Sequence, residues 1–240
     1  MTFYRIQHSL DNKIVGKFCQ IIDSIPPDGW DSKPNFVQNI SFSKFNGGVL
    51  TAIGILHKKA KLTDLLSTVP VGFTPKLLVS SALKDLVYNL APSLFQFFSC
   101  DIGKQGINFE YWLASPLETG WDFVDFNRSE TLIRKSKPEG GTIQSIVPIN
   151  SLKEFNDLIA LTEPNERWNI TVEKVNVLPQ TNVDLFVLDR VDGGVGYFVS
   201  ERFKQAVEVL ALTGIEFKPS HLNLVEWLHG GIREGLYGKA

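Results

Sequence analysis

The chain has 240 residues, 43% of them hydrophobic, with 17 Phe and 5 Trp. That is enough apolar material for one large domain or two lobes, and it argues against long disorder. There are 24 basic and 26 acidic residues, a formal charge of −2. With no basic surplus to release counterions from a phosphate backbone, nucleic-acid binding is not expected.

The N-terminus, MTFYRIQHSLDNK, lacks the apolar core of a secretory signal. No run reaches the ~18 apolar residues of a membrane span. Cys19 and Cys100 are far apart and form no CxxC pair. They are expected to be buried free thiols of a cytoplasmic protein, which leaves the Asn-x-Ser/Thr triplets at Asn39, Asn127 and Asn169 without meaning.

In chain order, Thr2–Ile6 predicts an opening strand. Residues 25–34, IPPDGWDSKP, predict a loop around Trp30. Gly47–Gly48 marks a turn before a strand over Val49–Leu56, and Leu62–Leu66 is a short apolar segment. Lys76–Val79 predicts a strand, Ser80 a helix cap, and Leu83, Leu86, Val87, Leu90 and Ala91 one apolar helical face that ends at Pro92. Leu94–Phe98 and Ile107–Leu113 predict a hairpin across GKQG (103–106). Trp121–Ile133 reads as strand-turn-strand, Lys135–Gly141 as a loop and Ser151–Leu161 as a capped helix. Strands are expected over Trp168–Val177 and Val183–Leu188, then a turn at Asp192–Gly196. Ser200 opens a further helix bearing Phe203, Ala206, Val207, Leu210 and Ala211, closed by Gly214. Ile215–Phe217 predicts a strand, and Leu222, Val225 and Leu228 a last helical turn or two.

One segment returns 120 positions later without a gap. Leu78–Phe97 and Phe198–Phe217 share Val79/Val199, Ser80/Ser200, Lys84/Lys204, Val87/Val207, Leu90/Leu210, Ala91/Ala211 and Phe97/Phe217. Seven identities in twenty compare with roughly one by chance at ordinary residue frequencies. The chain is therefore expected to use one strand–helix–strand unit twice. Short strands mixed with a few helices predict an α+β fold with mixed or mainly antiparallel sheets. Two lobes are expected, residues 1–135 and 142–240, each with one copy of the unit, unless the chain forms one continuous domain.

Motifs that carry chemistry are sparse. Asp192–Gly196 has the glycines of a phosphate loop without its lysine, and Gly103–Lys104 a lysine without the frame. His8, His57, His221 and His229 are scattered, with no HxxxH pair, so no metal or other cofactor is expected. Ser80 and Ser200 stand where a nucleophile elbow would, but no GxSxG surrounds them and helix capping explains both. The pairs Asp122/Asp125 and Asp189/Asp192 have no neighbouring histidine. The clusters Lys58–Lys59–Lys61 and Arg134–Lys135–Lys137 read as solvated turns.

An interface is harder to exclude. Trp30 sits between Asp28 and Asp31, and Trp121 precedes Asp122 and Asp125. Aromatic anchors ringed by acids suit a basic protein partner, and Asp189 and Asp192 add to the same set. The competing reading is that both tryptophans plug the edge of a core.

Four stretches together resemble the large α+β immunity-protein families encoded beside bacterial polymorphic toxins. They are YRIQHSLDNKIVGKFCQI (4–21), KLLVSSALKDLVYNLAPSLFQFF (76–98), the Asp-Phe-x-x-Ser element at Asp125, Phe126 and Ser129, and YFVSERFKQAVEVLALTGIEFKP (197–219), with its Thr-Gly-x-Glu-Phe ending. The likeness spans most of the chain. It implies a cytoplasmic protein with no reaction of its own that binds and blocks a cognate toxin domain by occlusion. It carries over a scaffold, not a contact surface. The alternative is a small enzyme with a loop-assembled site, drawing on His57, Asp125 and the Asp189–Asp192 turn. A homodimer formed through Leu222–Leu228 is a third expectation.

Overall fold

The computed structural model describes residues 2–163, 168–228 and 231–239. Its elements are β1 (Phe3–His8), α1 (Asn12–Val15), β2 (Ile21–Ile25), β3 (Ile53–Leu56), β4 (Leu65–Leu66), β5 (Leu77–Val79), α2 (Ser81–Leu90), β6 (Phe95–Lys104), β7 (Ile107–Pro116), β8 (Glu130–Ser136), β9 (Thr142–Val147), α3 (Leu152–Thr162), β10 (Trp168–Lys174), β11 (Leu185–Val191), β12 (Gly194–Ser200), α4 (Glu201–Val209), β13 (Ile215–Pro219), α5 (Leu224–Leu228) and α6 (Ile232–Tyr237). Single 3-10 turns stand at Trp30–Ser32, Val37–Asn39 and Trp121–Phe123.

The strands form a seven-stranded sheet of order β13-β1-β12-β11-β10-β8-β9 and a six-stranded sheet of order β2-β3-β6-β7-β5-β4. The β10–β11 and β3–β6 pairs are parallel, and the other registered pairs are antiparallel. This is an α+β fold. Among the described residues, no helix is long and apolar enough to cross a membrane.

The chain divides into two compact units, neither continuous in sequence. The first comprises Met1–Ile6, Thr119–Glu201 and Lys218–Leu236, and the second Gln7–Glu118, Arg202–Phe217 and Tyr237–Ala240. The Lys135–Gly141 loop, expected to separate two lobes, is the turn of the β8–β9 hairpin. Lys137 N–H donates to the Gly141 carbonyl at 3.0 Å, and the pairs run unbroken from Ser136↔Thr142 to Thr131↔Val147. Pro138 and Gly140–Gly141 suit a hairpin as well as a linker, and the sequence does not distinguish them.

The core of the first unit is aromatic. Trp121 lies 4.5 Å from Phe155 between ring centroids, Phe126 lies 5.3 Å from Phe155, and Phe186 stacks on Phe198 at 5.2 Å. Such pairs add about 0.5–1.5 kcal/mol each beyond the burial of their area. The core of the second unit gathers Ile21, Phe36, Phe73, Leu78, Ile102 and Leu113.

Around the two serines the matched segments make similar hydrogen bonds, while past the helices they differ, with Ala91 at φ −146° and Ala211 at φ +52°. Leu65 and Leu66 of β4 lie opposite Val79 and Leu78 of β5, while Leu185 and Phe186 of β11 lie opposite Val199 and Phe198 of β12. Each register continues at the serine. Ser80 Oγ donates to Asp64 Oδ1 at 2.7 Å and its N–H to the Asp64 carbonyl at 2.8 Å. Ser200 Oγ donates to Asp184 Oδ1 at 2.7 Å and its N–H to the Asp184 carbonyl at 2.9 Å. Next along each sheet, Trp112 of β7 faces Val79 and donates its indole N–H to Ser81 Oγ at 3.2 Å. Tyr4 of β1 faces Val199 and donates to Glu201 Oε2 at 2.6 Å. Ser80 also caps α2 as expected, accepting from Leu83 N–H at 3.2 Å.

Several expectations need correction. Trp121–Phe126 is not a strand. Phe123 and Val124 N–H bond back to the Gly120 and Trp121 carbonyls, closing a 3-10 turn that tucks the aromatics inward. The hairpin strands β6 and β7 extend past the apolar runs that marked them. The short helix α1 and the strands β2 and β9 have no counterpart among the expected elements, nor does α6.

Removing the two serine hydroxyls gives a direct stability test. Ser200→Ala at a fully buried site is expected to cost about 1–3 kcal/mol. Ser80→Ala, which loses a cap and the Asp64 bond, is expected to cost about 0.5–2 kcal/mol. Urea denaturation of both variants measures this.

Candidate functional site

In the first unit, a pocket of about 240 Å³ opens beside the Trp121 turn. Trp121, Val124, Phe126, Leu152 and Leu178 give it an apolar floor, and Asp122, Asp125, Asn127, Asn150 and Ser151 a polar rim. The local sequence explains how it is held. Gly120 N–H donates to the Val187 carbonyl at 2.8 Å, and a Cβ at Gly120 would come within 2.9 Å of Phe123 and Phe186 side-chain atoms. Glycine is what lets the turn press onto β11. Asp125 N–H reaches the Asn176 carbonyl at 2.8 Å. The Asp125 carbonyl accepts from both Ser129 N–H and Ser129 Oγ, and Ser129 Oγ accepts from Asn176 N–H at 2.9 Å. The Asp-Phe-x-x-Ser element is thus a knot that places Phe126 in the core and leaves the Asp125 side chain on the pocket rim.

The opposite wall is the start of α3. Ser151 Oγ accepts from Glu154 N–H at 3.2 Å, and Glu154 accepts from Asn150 N–H at 2.9 Å. These groups answer the positive end of the helix. Asp122 is exposed and Asp125 half-buried, and neither carboxylate has an ion-pair partner among the described residues. The rim therefore favours a cation.

Trp121 itself is not an exposed anchor. It is only 8% exposed, and its indole N–H donates to Asp189 Oδ1 at 2.8 Å. Asp189 therefore serves the core instead of offering a loose acid, and it also lies 3.7 Å from Arg190 Nε. Asp192 is likewise occupied. It pairs with Arg5, whose guanidinium also reaches the Val195 carbonyl at 3.3 Å. Lys218 lies near this pair. It is buried, and burial, with the charge of Arg5, pushes its ammonium down to about 8. The strand β13 hints at this only through alternation of Glu216 and Lys218 about Phe217.

In the second unit, Trp30 is half-buried and leans on Phe36 at 5.4 Å, with Asp28 and Asp31 exposed on the same loop. Asp31 Oδ1 accepts from Ser32 N–H at 3.0 Å. Of the predicted interface set, Trp30, Asp28, Asp31 and Asp122 remain at the surface. Trp121 is buried, Asp192 is paired with Arg5, and Asp189, its side chain 36% exposed, accepts the Trp121 indole N–H. Asn127, Asn150 and Ser151 belong to the pocket and escaped the sequence reading, because the pocket joins three stretches, 121–127, 150–152 and Leu178, that lie more than twenty residues apart.

The remaining conspicuous residues hold the scaffold. Thr213 N–H and Oγ1 both donate to Asp64 Oδ2, at 2.8 and 3.1 Å. Gly214 has φ +85°, and a Cβ there would meet the Leu65 carbonyl at 2.3 Å. Glu216, 1% exposed, accepts from Ser9 Oγ and Leu10 N–H. Gln20 is fully buried and bonds Lys61, Thr63 and Ser67. His57 Nδ1 accepts from Lys59 N–H at 3.1 Å, His221 is exposed, and His229 lies outside the described residues. Both cysteines are free thiols, and burial pushes Cys100 up to about 12.

No known protein-family model matches the chain, and a search of characterised proteins finds no significant match.

His8 supplies a pH test. Burial pushes its imidazole down to about 4, against a smaller opposing contribution from a hydrogen bond with the Leu66 backbone. The unfolded chain takes up this proton below about pH 6.5, while the native state resists until about pH 4. Stability from this group is thus complete above about pH 6.5 and falls as the pH drops to about 4, by on the order of 3 kcal/mol. Urea midpoints across that range should show the slope, and His8→Gln should flatten it.

Proposed function

We propose that the chain is a cytoplasmic immunity protein that binds a cognate bacterial toxin domain and neutralises it by occlusion, without a reaction of its own. The observation that carries this reading is the first unit's pocket, where an aromatic floor meets two carboxylates that have no ion-pair partner among the described residues. An apolar bed with acids at its rim is what a lysine or arginine side chain of a basic partner needs. The floor takes the aliphatic stem, and the carboxylates take the charge. A pocket of about 240 Å³ has room for one such side chain, which suits an anchor within a larger protein interface.

The resemblance to polymorphic-toxin immunity families supports the same role from a different direction. Most of the polar residues that carry it, such as Gln20, Ser129 and Glu216, are spent on hydrogen bonds within the scaffold, while the Asp125 carboxylate is left at the pocket rim. That is the division of labour expected of a family whose contact surface changes with its toxin. The exposed Asp28 and Asp31, with the half-buried Trp30 between them, form a second acidic element that would be available to a partner.

Co-expression with the toxin domain encoded at the neighbouring locus tests the proposal. Cell growth should be restored, and a stoichiometric complex should survive gel filtration. Charge reversal at the pocket, Asp122→Lys with Asp125→Lys, should weaken that complex about tenfold or more without lowering the melting temperature. Failure to protect or to form a complex would remove the proposal, as would turnover of a substrate by the chain alone.

A further inference from the structure

The two sheets have four edge strands, and three of them are guarded. The strand β2 carries Asp23 and a register irregularity between Ile21 and Asp23. The strand β4 is two residues long, and its Leu65 N–H is taken by the Thr213 carbonyl at 3.1 Å. The strand β13 buries Glu216, Phe217 and Lys218, and Phe217 N–H donates to Tyr237 OH at 2.9 Å. Charges, bulges, shortness and covering contacts are the devices by which sheet edges avoid pairing with other chains.

The strand β9 has none of them among the described residues. It is six residues long, Thr-Ile-Gln-Ser-Ile-Val, with no charge, proline or glycine. Its register with β8 is unbroken, so no bulge twists the edge away. Residues 142–146 are exposed, Ile143 at 51% and Ile146 at 66%. A straight, neutral edge that shows isoleucine is a template for one more strand.

We propose that β9 pairs antiparallel with β9 of a second copy of this chain, joining two seven-stranded sheets edge to edge. The occupant follows from charge and symmetry. A two-fold axis perpendicular to the sheet sets each residue opposite one of the same face. With the axis at Ser145, Ile143 lies opposite Val147 of the second copy, a β-branched pair made twice. No charge on β9 meets a like charge in that arrangement, and none is present to prefer a charged foreign strand. Association stops at two, because the opposite end of the same sheet is β13, whose edge is covered. A six-residue edge makes a small contact, of the kind that associates weakly, so the dimer forms only as concentration rises. This surface is distinct from the acidic pocket, and the proposal stands or falls independently of toxin binding.

Sedimentation velocity on the full chain, from micromolar to several hundred micromolar, tests it. A monomer–dimer equilibrium is expected, with slower amide exchange over residues 142–147 as the dimer fills. Ile143→Lys with Ile146→Lys should abolish the dimer and leave the circular dichroism and melting temperature of the monomer unchanged, since both side chains are exposed. The proposal is overturned by a monomer at every concentration, by a dimer indifferent to the two lysines, or by open-ended association.

Discussion

Each serine-to-aspartate clasp settles three things at once. Ser80 fixes where β5 stops, where α2 starts, and how β4 registers against β5, because its hydroxyl and its N–H both return to Asp64. Ser200 does the same at the end of β12 with Asp184 at the head of β11. A one-residue slip in either register would turn every side chain of the strand to the other face. In the second unit, the same Asp64 carboxylate also takes Thr213, so one acid ties the start of β4 to both the β5–α2 junction and the segment before β13. The Asp184 carboxylate is buried, which is costly unless its oxygens are satisfied, and the strand geometry there supplies a donor in Ser200.

With the conspicuous serines, glycines and glutamate committed to the scaffold, the proposed roles rest on groups that the scaffold leaves over. In the first unit, those are the pocket carboxylates and the bare edge of β9. They call for opposite chemistries. The pocket has charge and an aromatic bed and suits a cationic side chain. The edge has neither charge nor pocket and offers only backbone groups and isoleucines. The proposed toxin-binding role would benefit from this separation, since side chains at the pocket rim can change without touching a hydrogen bond of the sheet.

How much of this was legible in the sequence follows from the range of each interaction. The cap at Ser80 and the stop at Pro92 are local and were readable from neighbours a few residues away, as was a turn at Asp192, though it was expected to run to Gly196 and closes within Asp192–Gly193 before β12. The α+β class was readable from the mixture of short strands and capped helices. Trp121 was not, because an aromatic followed by acids describes an exposed anchor and a core plug equally well. Its partner Asp189 lies 68 positions on, and the partner of Asp192 is 187 positions away. The strand β9 escaped because alternation betrays a strand only when one face is buried. Thr142–Ile146 is exposed throughout and shows no alternation. The pocket escaped for a related reason, since its floor and rim come from the 121–127 turn, the start of α3 and Leu178.

The most direct test of this account is native-state amide hydrogen exchange at Ser80 and Ser200. If the clasps hold the two strand–helix junctions, both amides exchange only with the global opening of the fold, as slowly as the central residues of β6 and β11. Exchange of either amide through local opening, orders of magnitude faster than those strands, would contradict it.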